Sequence, residues 1–192
     1  MSGPLTGFRV LDLTTMVSGP VATMMLGDQG ADVIKIEPID GEYMRKAGVK
    51  HRGMPNGFLS CNRSKRSLSI NLKSDEGVDA VKKLLAGTDV LVQNFRPGAI
   101  ERMGLGEAVA REIRPDLIFV SISGFGEKGP YSHQRVYDPI IQALSGLADI
   151  QRDKDSGKPK MVRTIIPDKT TSVTAAQAIT AALLHRERTG EG

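Results

Sequence analysis

Two short apolar runs, FRVLDLT at 8–14 and ADVIKIEP at 31–38, flank a single helix-length segment, SGPVATMMLGDQG. A strand can return parallel to its predecessor only through a crossover of a dozen or so residues, and that crossover is most often a helix. Strand, helix and strand within the first 38 residues therefore predict a parallel sheet with a helix packed on one face. Between the runs, Val21, Met24, Met25 and Asp28 have helical spacing; Ser18 is placed to cap the helix and Pro20 is tolerated in its first turn.

The alternation continues along the chain. RSLSINL (66–72) alternates Leu68, Ile70 and Leu72 and reads as a half-buried strand. After Ser74, DEGVDAVKKLLAG places acids early, lysines late, and Val78, Val81, Leu84 and Leu85 on one helical face. TDVLVQNF (88–95) and DLIFVSISG (from 116) are further strands, while PGAIERMG, opened by Pro97 and closed at Gly104, and GEAVAREI are short helices. The basic stretch 41–66 has no clean period and is expected as surface loop with short helical turns. Turn signals fill 148–161, and 170–185 is a long helix with Val173, Gln177, Thr180 and Leu184 on one flank and Ala176, Ile179 and Leu183 on another. RERTGEG then reads as a turn. The predicted class is α/β: a doubly wound, mainly parallel, Rossmann-like sheet with helices on both faces.

Ligands of such sheets bind beyond the carboxyl ends of the strands, here 14–19, 37–41, 94–98 and 123–129. From 41 to 73 the chain carries Arg45, Lys46, Lys50, Arg52, Arg63, Lys65, Arg66 and Lys73 against Glu42 alone, an excess of seven positive charges. A field of that sign suits a phosphate-bearing ligand or a solvated face. Only Tyr43 and Phe58 accompany it, too few stacking platforms to favour nucleic acid. One cysteine, Cys61, excludes an internal disulfide scaffold, and His51, His133 and His185 lack metal-ligand spacing, so no metal is expected. The start has no basic-then-apolar leader and no run approaches 18 apolar residues, so a soluble cytoplasmic protein with no membrane partner is expected.

GFGEKG at 124–129 matches a dinucleotide fingerprint literally, but Pro130 and Tyr131 follow where a helix should open, so it reads as a strand-end loop. Asp168 follows Pro167 and precedes the long helix; it is either that helix's cap or an ionised carboxylate kept available as a nucleophile by the helix dipole. Arg135, Val136, Tyr137 and Asp138 precede another apolar helix, PIIQALSGL, with Asp138 again a natural cap and Tyr137 expected half-buried. The Asn94 amide, at a strand end, can hold a ligand carbonyl or bond its own turn. These residues alone specify an anionic ligand and a few carboxylates, without a reaction.

Taken together, LDLTTMVSGPVATMMLGDQGADVIKIEP, CNRSKRSLSINLK, DVLVQNFRPGAIERMGLG, SISGFGEKGPYS and YDPIIQALSG resemble the class III coenzyme A transferases, a family that also holds alpha-methylacyl-CoA racemase. Members run to about twice this length, so the resemblance implies that 1–192 is the N-terminal part of the CoA-binding domain, with a second domain outside it. It implies a CoA transferase that uses acyl-CoA and a small carboxylic acid as substrates, binds no cofactor tightly, and forms an interlocked homodimer. A racemase and a non-catalytic CoA-binding protein are the alternatives. Asp168 matches the family's nucleophile; Arg135 and Tyr137 match residues lining the thioester site, and Asp138 an adjacent acid that contacts the ligand. Val17, Ser18, Lys73, Asn94, Phe95, Arg102 and Met103 match positions that hold coenzyme A. Pro38 stands where transferases often have arginine, which shifts the expected phosphate contact to Arg45 or Lys46. Val17 stands where formyl-CoA enzymes have glutamine, and Tyr137 where racemases have histidine. Backbone amides at the start of the 170–185 helix are expected to stabilise the oxyanion.

Overall fold

The computed structural model describes residues 2–192. Its centre is a five-stranded sheet of β1 (Arg9–Asp12), β2 (Asp32–Glu37), β5 (Lys65–Ser69), β6 (Val90–Gln93) and β7 (Ile118–Ser121), in the order β5-β2-β1-β6-β7. Every neighbouring pair is parallel. The chain leaves β1 for β2 and β5 on one side, then crosses back to β6 and β7 on the other. The winding thus reverses between β1 and β6, and a crevice opens above their carboxyl ends.

Both faces of the sheet are covered, so its strands carry apolar side chains on both sides. On one face Val10, Val33, Val90, Val92 and Ile118 pack with Ala22 and Leu26 of α1 (Ser18–Asp28) and Ala176, Ile179 and Leu183 of α8 (Ile166–Thr189). On the other, Leu11, Ile34, Ile36 and Leu91 pack with Val81 and Leu85 of α3 (Asp75–Leu85), Ile100 of α4 (Ala99–Arg102) and Ala110 of α5 (Glu107–Ile113). Ser74 caps α3, its hydroxyl accepting from the Gly77 amide at 3.2 Å. No helix among the described residues is long and apolar enough to cross a membrane.

Several elements differ from the sequence expectation. The 41–66 stretch holds a 3-10 turn (Tyr43–Arg45), a hairpin of β3 (Lys50–His51) and β4 (Met54–Pro55), and α2 (Asn56–Asn62). Its two-residue hairpin turn puts Arg52 at φ 49° and Gly53 at φ 83°, the positive-φ pair that matches strand twist. Leu68 points to solvent because β5 is an edge strand; only Ile70, just beyond it, is buried. Ser18 does not cap α1. Val17 occupies that position with no side-chain bond, and Ser18 begins the helix.

The long helix starts four residues earlier than expected and runs past His185 to Gly190, a left-handed C-cap. Its last turn is held by Arg186, which is 6 % exposed and bonds Asp89 Oδ1 at 2.9 Å, at the amino end of β6. The segment 148–161 is irregular apart from the end of α7 (Leu147–Ile150), which follows α6 (Asp138–Leu144).

Candidate active site

A cleft of about 720 Å³ lies over the β1/β6 crevice. Three of the four expected strand ends line it, through Thr15 to Ser18, Asn94 to Pro97, and Ser123 with Gly124; the end of β2 does not. Arg135, Tyr137 and Asp138 from the start of α6, and Ile166, Pro167 and Asp168 from the first turn of α8, complete the wall.

The end of β2 is consumed internally. Arg45 binds Glu37 through both carboxylate oxygens at 2.6 Å and stacks over Phe58 at 3.9 Å, so Arg45 is not a free phosphate ligand. Burial opposes ionisation of Glu37, but the Arg45 and Ser67 bonds bring its pKa down to about 2. Arg63 pairs with Asp28, Lys65 with Asp12 and Arg66 with Asp32, so half of the basic segment is neutralised by acids outside it. Lys46, Lys50, Arg52 and Lys73 remain exposed and, among the described residues, without an ion pair.

Asp168 is not a cap. Because α8 begins at Ile166, Asp168 sits inside the first turn and makes no capping bond. The cap is supplied from outside: Asp138 Oδ2 accepts the Asp168 amide at 3.3 Å. Asp138 is 7 % exposed, and its other oxygen accepts from Gln142 Nε2 at 2.6 Å. Gln142 in turn accepts the Val162 amide at 2.8 Å, tying α6 to the segment that leads into α8. Asp138 is thus not the cap of its own helix: it lies on the cleft wall with its carboxylate engaged at the neighbouring helix terminus.

The Asp168 side chain is left half-buried on the cleft wall. Burial raises its pKa above the ordinary value, the Ser18 hydroxyl pulls it back, and the Asp138 charge raises it further. The helix terminus therefore does not lower the pKa of this carboxylate below its ordinary value. A carboxylate of raised basicity is the better nucleophile once ionised. The expected oxyanion donors are also absent from α8: the Asp168 amide serves Asp138 and the Lys169 amide bonds Ile165 within the helix at 3.1 Å.

The remaining predicted residues divide. Val17, Ser18, Asn94, Phe95, Arg135 and Tyr137 line the cleft together with Asp168. Asn94 uses both ends of its amide on Thr15, accepting the amide at 2.9 Å and donating to the carbonyl at 2.8 Å, so it bonds the turn. Tyr137 is 65 % exposed, not half-buried. Lys73, Arg102 and Met103 lie off the cleft; Arg102 is exposed in the last turn of α4, next to Met103. Several cleft residues were not singled out from sequence, among them Met16, Arg96, Ser123 and Gln134. Arg96 stands beside Asn94 in the NFRPG strand end and could have been found by position. Met16 could not, since nothing in a methionine announces its φ of 69°.

Comparison with known proteins agrees with this layout. The profile of the family described as CoA-transferase family III matches residues 5–192. The chain is 45 % identical over 191 residues to mouse succinyl-CoA:glutarate CoA-transferase, covering 98 % of this chain and 44 % of that protein. It is 42 % identical over 197 residues to an Escherichia coli formyl-CoA:oxalate CoA-transferase, covering 100 % and 46 %. Among solved structures, a CAIB/BAIF family protein from Brucella suis superposes with a TM-score of 0.95 at 36 % identity, covering all of this chain and 52 % of that one. Rv3272 from Mycobacterium tuberculosis superposes at 0.92 and 36 % identity, covering 99 % and 52 %. The chain spans about half the length of the relatives it matches. Its parallel sheet, its cleft at the winding reversal and this continuous match place the chain in the class III CoA-transferase family, also called CAIB/BAIF.

Proposed function

We propose that the full protein transfers coenzyme A from an acyl-CoA thioester to a carboxylic acid, with Asp168 as the nucleophile. The observation that carries this reading is a half-buried carboxylate at a helix start whose capping duty has been taken over by Asp138, leaving it available to the cleft. Asp168 Oδ attacks the thioester carbonyl; the C–S bond breaks, giving a mixed anhydride and CoA thiolate. The thiolate attacks the aspartyl carbonyl, forming a thioester on Asp168 and releasing the donor acid as carboxylate. An acceptor carboxylate then runs the two steps in reverse and leaves as the new acyl-CoA. One thioester is exchanged for another, so the sequence needs no ATP. The Ser18 hydroxyl, beside Asp168, and the Ser18 and Gly19 amides at the start of α1, which no side chain caps, are the available donors toward the developing oxyanion. The exposed Lys46, Lys50, Arg52, Lys73 and Arg102 are the candidate contacts for the phosphates of CoA.

The acyl groups are proposed to be dicarboxylic. Val17, Ile122 and Ile166 give the cleft apolar wall, while Arg96 and Arg135 line it exposed and without ion pairs among the described residues. Apolar wall plus free guanidinium suits a short chain ending in a second carboxylate. The similar mouse protein is named for succinyl-CoA and glutarate, and the Escherichia coli protein for formyl-CoA and oxalate, so three of the four named acyl groups are dicarboxylic. The test incubates full-length protein with succinyl-CoA and maps the adduct by mass spectrometry with hydroxylamine trapping. Modification confined to the Asp168 peptide and abolished in Asp168→Asn is expected; an adduct elsewhere, or α-proton exchange without an acceptor acid, overturns the reading. The full protein is further proposed to be an interlocked dimer and cytoplasmic; monomeric sedimentation would overturn the first of these.

A further inference from the structure

The turn from β1 into α1 is held by side chains to an unusual degree. The Thr14 amide donates to Asp12 Oδ1 at 2.9 Å, and Lys35 Nζ donates to the Thr14 carbonyl at 2.7 Å. Asn94 takes both polar groups of Thr15. The Met16 amide donates to Glu42 Oε2 at 3.1 Å. Five consecutive backbone groups are thus satisfied by four side chains from β1, β2, the end of β6 and the 3-10 turn region, and none by another backbone.

Two costs sit side by side at the last of these bonds. Met16 adopts φ 69°, a region that a methionine enters only under constraint. Glu42 is 1 % exposed and its second oxygen, Oε1, is a buried side-chain acceptor with no hydrogen-bond partner among the described residues. Unpaired buried acceptors are rare and call for a reason. Lys35, 1 % exposed, faces Glu42 with opposite charge, while Glu37 and Asp12 face it with like charge. Arg45 also faces it with opposite charge, but the one hydrogen bond the Glu42 carboxylate makes among the described residues is to the Met16 amide. The residues that follow directly are Val17 and Ser18, both on the cleft wall, and Ser18 stands beside Asp168.

We infer that Glu42 is a positioning residue: by accepting the Met16 amide it locks the left-handed bend that delivers Ser18 to Asp168. This rests on the CoA-transferase reading for its catalytic consequence, but not for its structural one. Glu42 is off the cleft wall and reaches it through the Met16 amide. Its loss therefore lowers kcat through misplacement of Ser18, and changes KM for acyl-CoA only as far as Val17 and Ser18 move with the bend.

The experiment uses full-length protein with succinyl-CoA and a dicarboxylic acceptor, and measures kcat, KM and amide hydrogen exchange over residues 13–19. Glu42→Leu is expected to lower kcat by about 10- to 100-fold, the scale of a misplaced group, and to speed exchange at 16–18. Glu42→Gln, which keeps an acceptor for Met16, retains most of kcat. Glycine adopts positive φ without support, so on a Met16→Gly background Glu42→Leu is expected to cost less than about threefold, a departure from additivity that marks direct coupling. Unchanged kcat and exchange in Glu42→Leu overturn the inference. So does Glu42→Gln as impaired as Glu42→Leu, or an undiminished effect on the Met16→Gly background. Faster exchange in Glu42→Leu that Met16→Gly abolishes, in a protein without transferase activity, upholds the positioning role and overturns the proposed function alone.

Discussion

Lys65→Met tests what ties the edge strand to β1 and the start of α1. Lys65 reaches inward from the edge strand β5 and donates from Nζ to Asp12 Oδ2 at 2.9 Å, the Pro20 carbonyl at 2.8 Å and Asn62 Oδ1 at 2.8 Å. Its side chain is 2 % exposed and that of Asp12 is fully buried. Removing one partner of a buried pair leaves an uncompensated charge, which costs about 3–5 kcal/mol. Lys35 and the hydroxyls of Thr14 and Thr23 still stabilise Asp12, so the low end, about 3 kcal/mol, is expected.

The pH dependence follows with its sign. Burial alone would raise the Asp12 pKa, but Lys65 and Lys35 bring it down to about 2 from 3.8. A depressed folded-state pKa contributes stability above the unfolded value, and that stability is lost as pH falls toward the folded value. The drop corresponds to about 2 kcal/mol at neutral pH, disappearing between pH 4 and pH 2. Without Lys65 the Asp12 pKa rises and most of this contribution is missing at every pH. Urea unfolding of the chain at pH 7 and at pH 3 measures both quantities, and an unchanged m-value confirms a clean comparison. Asp12→Asn in the Lys65→Met background should recover part of the loss, because the stranded charge is gone. A loss below about 1 kcal/mol at pH 7, or a difference between wild type and Lys65→Met that is the same at both pH values, refutes the reasoning.

Five further variants have expected outcomes. Asp138→Asn removes the like charge that raises the Asp168 pKa, so the acid limb of kcat/KM against pH moves to lower pH; Ser18→Ala, which removes the hydroxyl that lowers it, moves it higher. Gly19→Ala would place a Cβ 2.4 Å from Thr14 Cβ, where the start of α1 rides over β1; thermal and urea unfolding should register a loss of about 2 kcal/mol from overpacking. Ile179→Ala, at a 1 % exposed position between α8 and the sheet, should cost about 2–5 kcal/mol by urea unfolding. Val173→Ala, at a 56 % exposed position on the same helix, should change stability by less than about 0.5 kcal/mol.

The legible part of the fold is the part written in local periodicity. Val10 and Leu11, Val33 and Ile34, Val90 and Leu91 alternate between the two faces of one sheet, and each apolar run became a strand. The α3 helix followed from Ser74, its acids and its Val81/Leu85 face, all within a dozen residues. Where partners lie far along the chain, local reading failed. The end of α8 depends on Arg186 meeting Asp89, 97 residues away, and Leu68 is exposed only because β5 has one neighbour. The basic surplus counted along 41–73 is half cancelled by Asp12, Asp28, Asp32 and Glu37, acids that precede it in sequence and meet it only in the fold.

The site divides in the same way. Strand-end positions and family resemblance sufficed to name Asp168, Ser18, Val17, Asn94, Phe95, Arg135 and Tyr137, because in a doubly wound sheet strand ends are where a crevice must form. What each side chain does there was decided by the folded structure. Asp138 and Asp168 look equally like helix caps in sequence, but only one carboxylate can take the α8 terminus. Packing of α6 against α8 gives it to Asp138, so Asp168 is left to the cleft. The sequence alone determined that this chain would form a parallel α/β sheet with ligand-binding strand ends, since apolar periodicity and crossover length are local properties. Which acid stays available, which arginines stay unpaired and which bend is strained were settled by tertiary structure, because hydrogen bonds and ion pairs are awarded by distance in space and not along the chain.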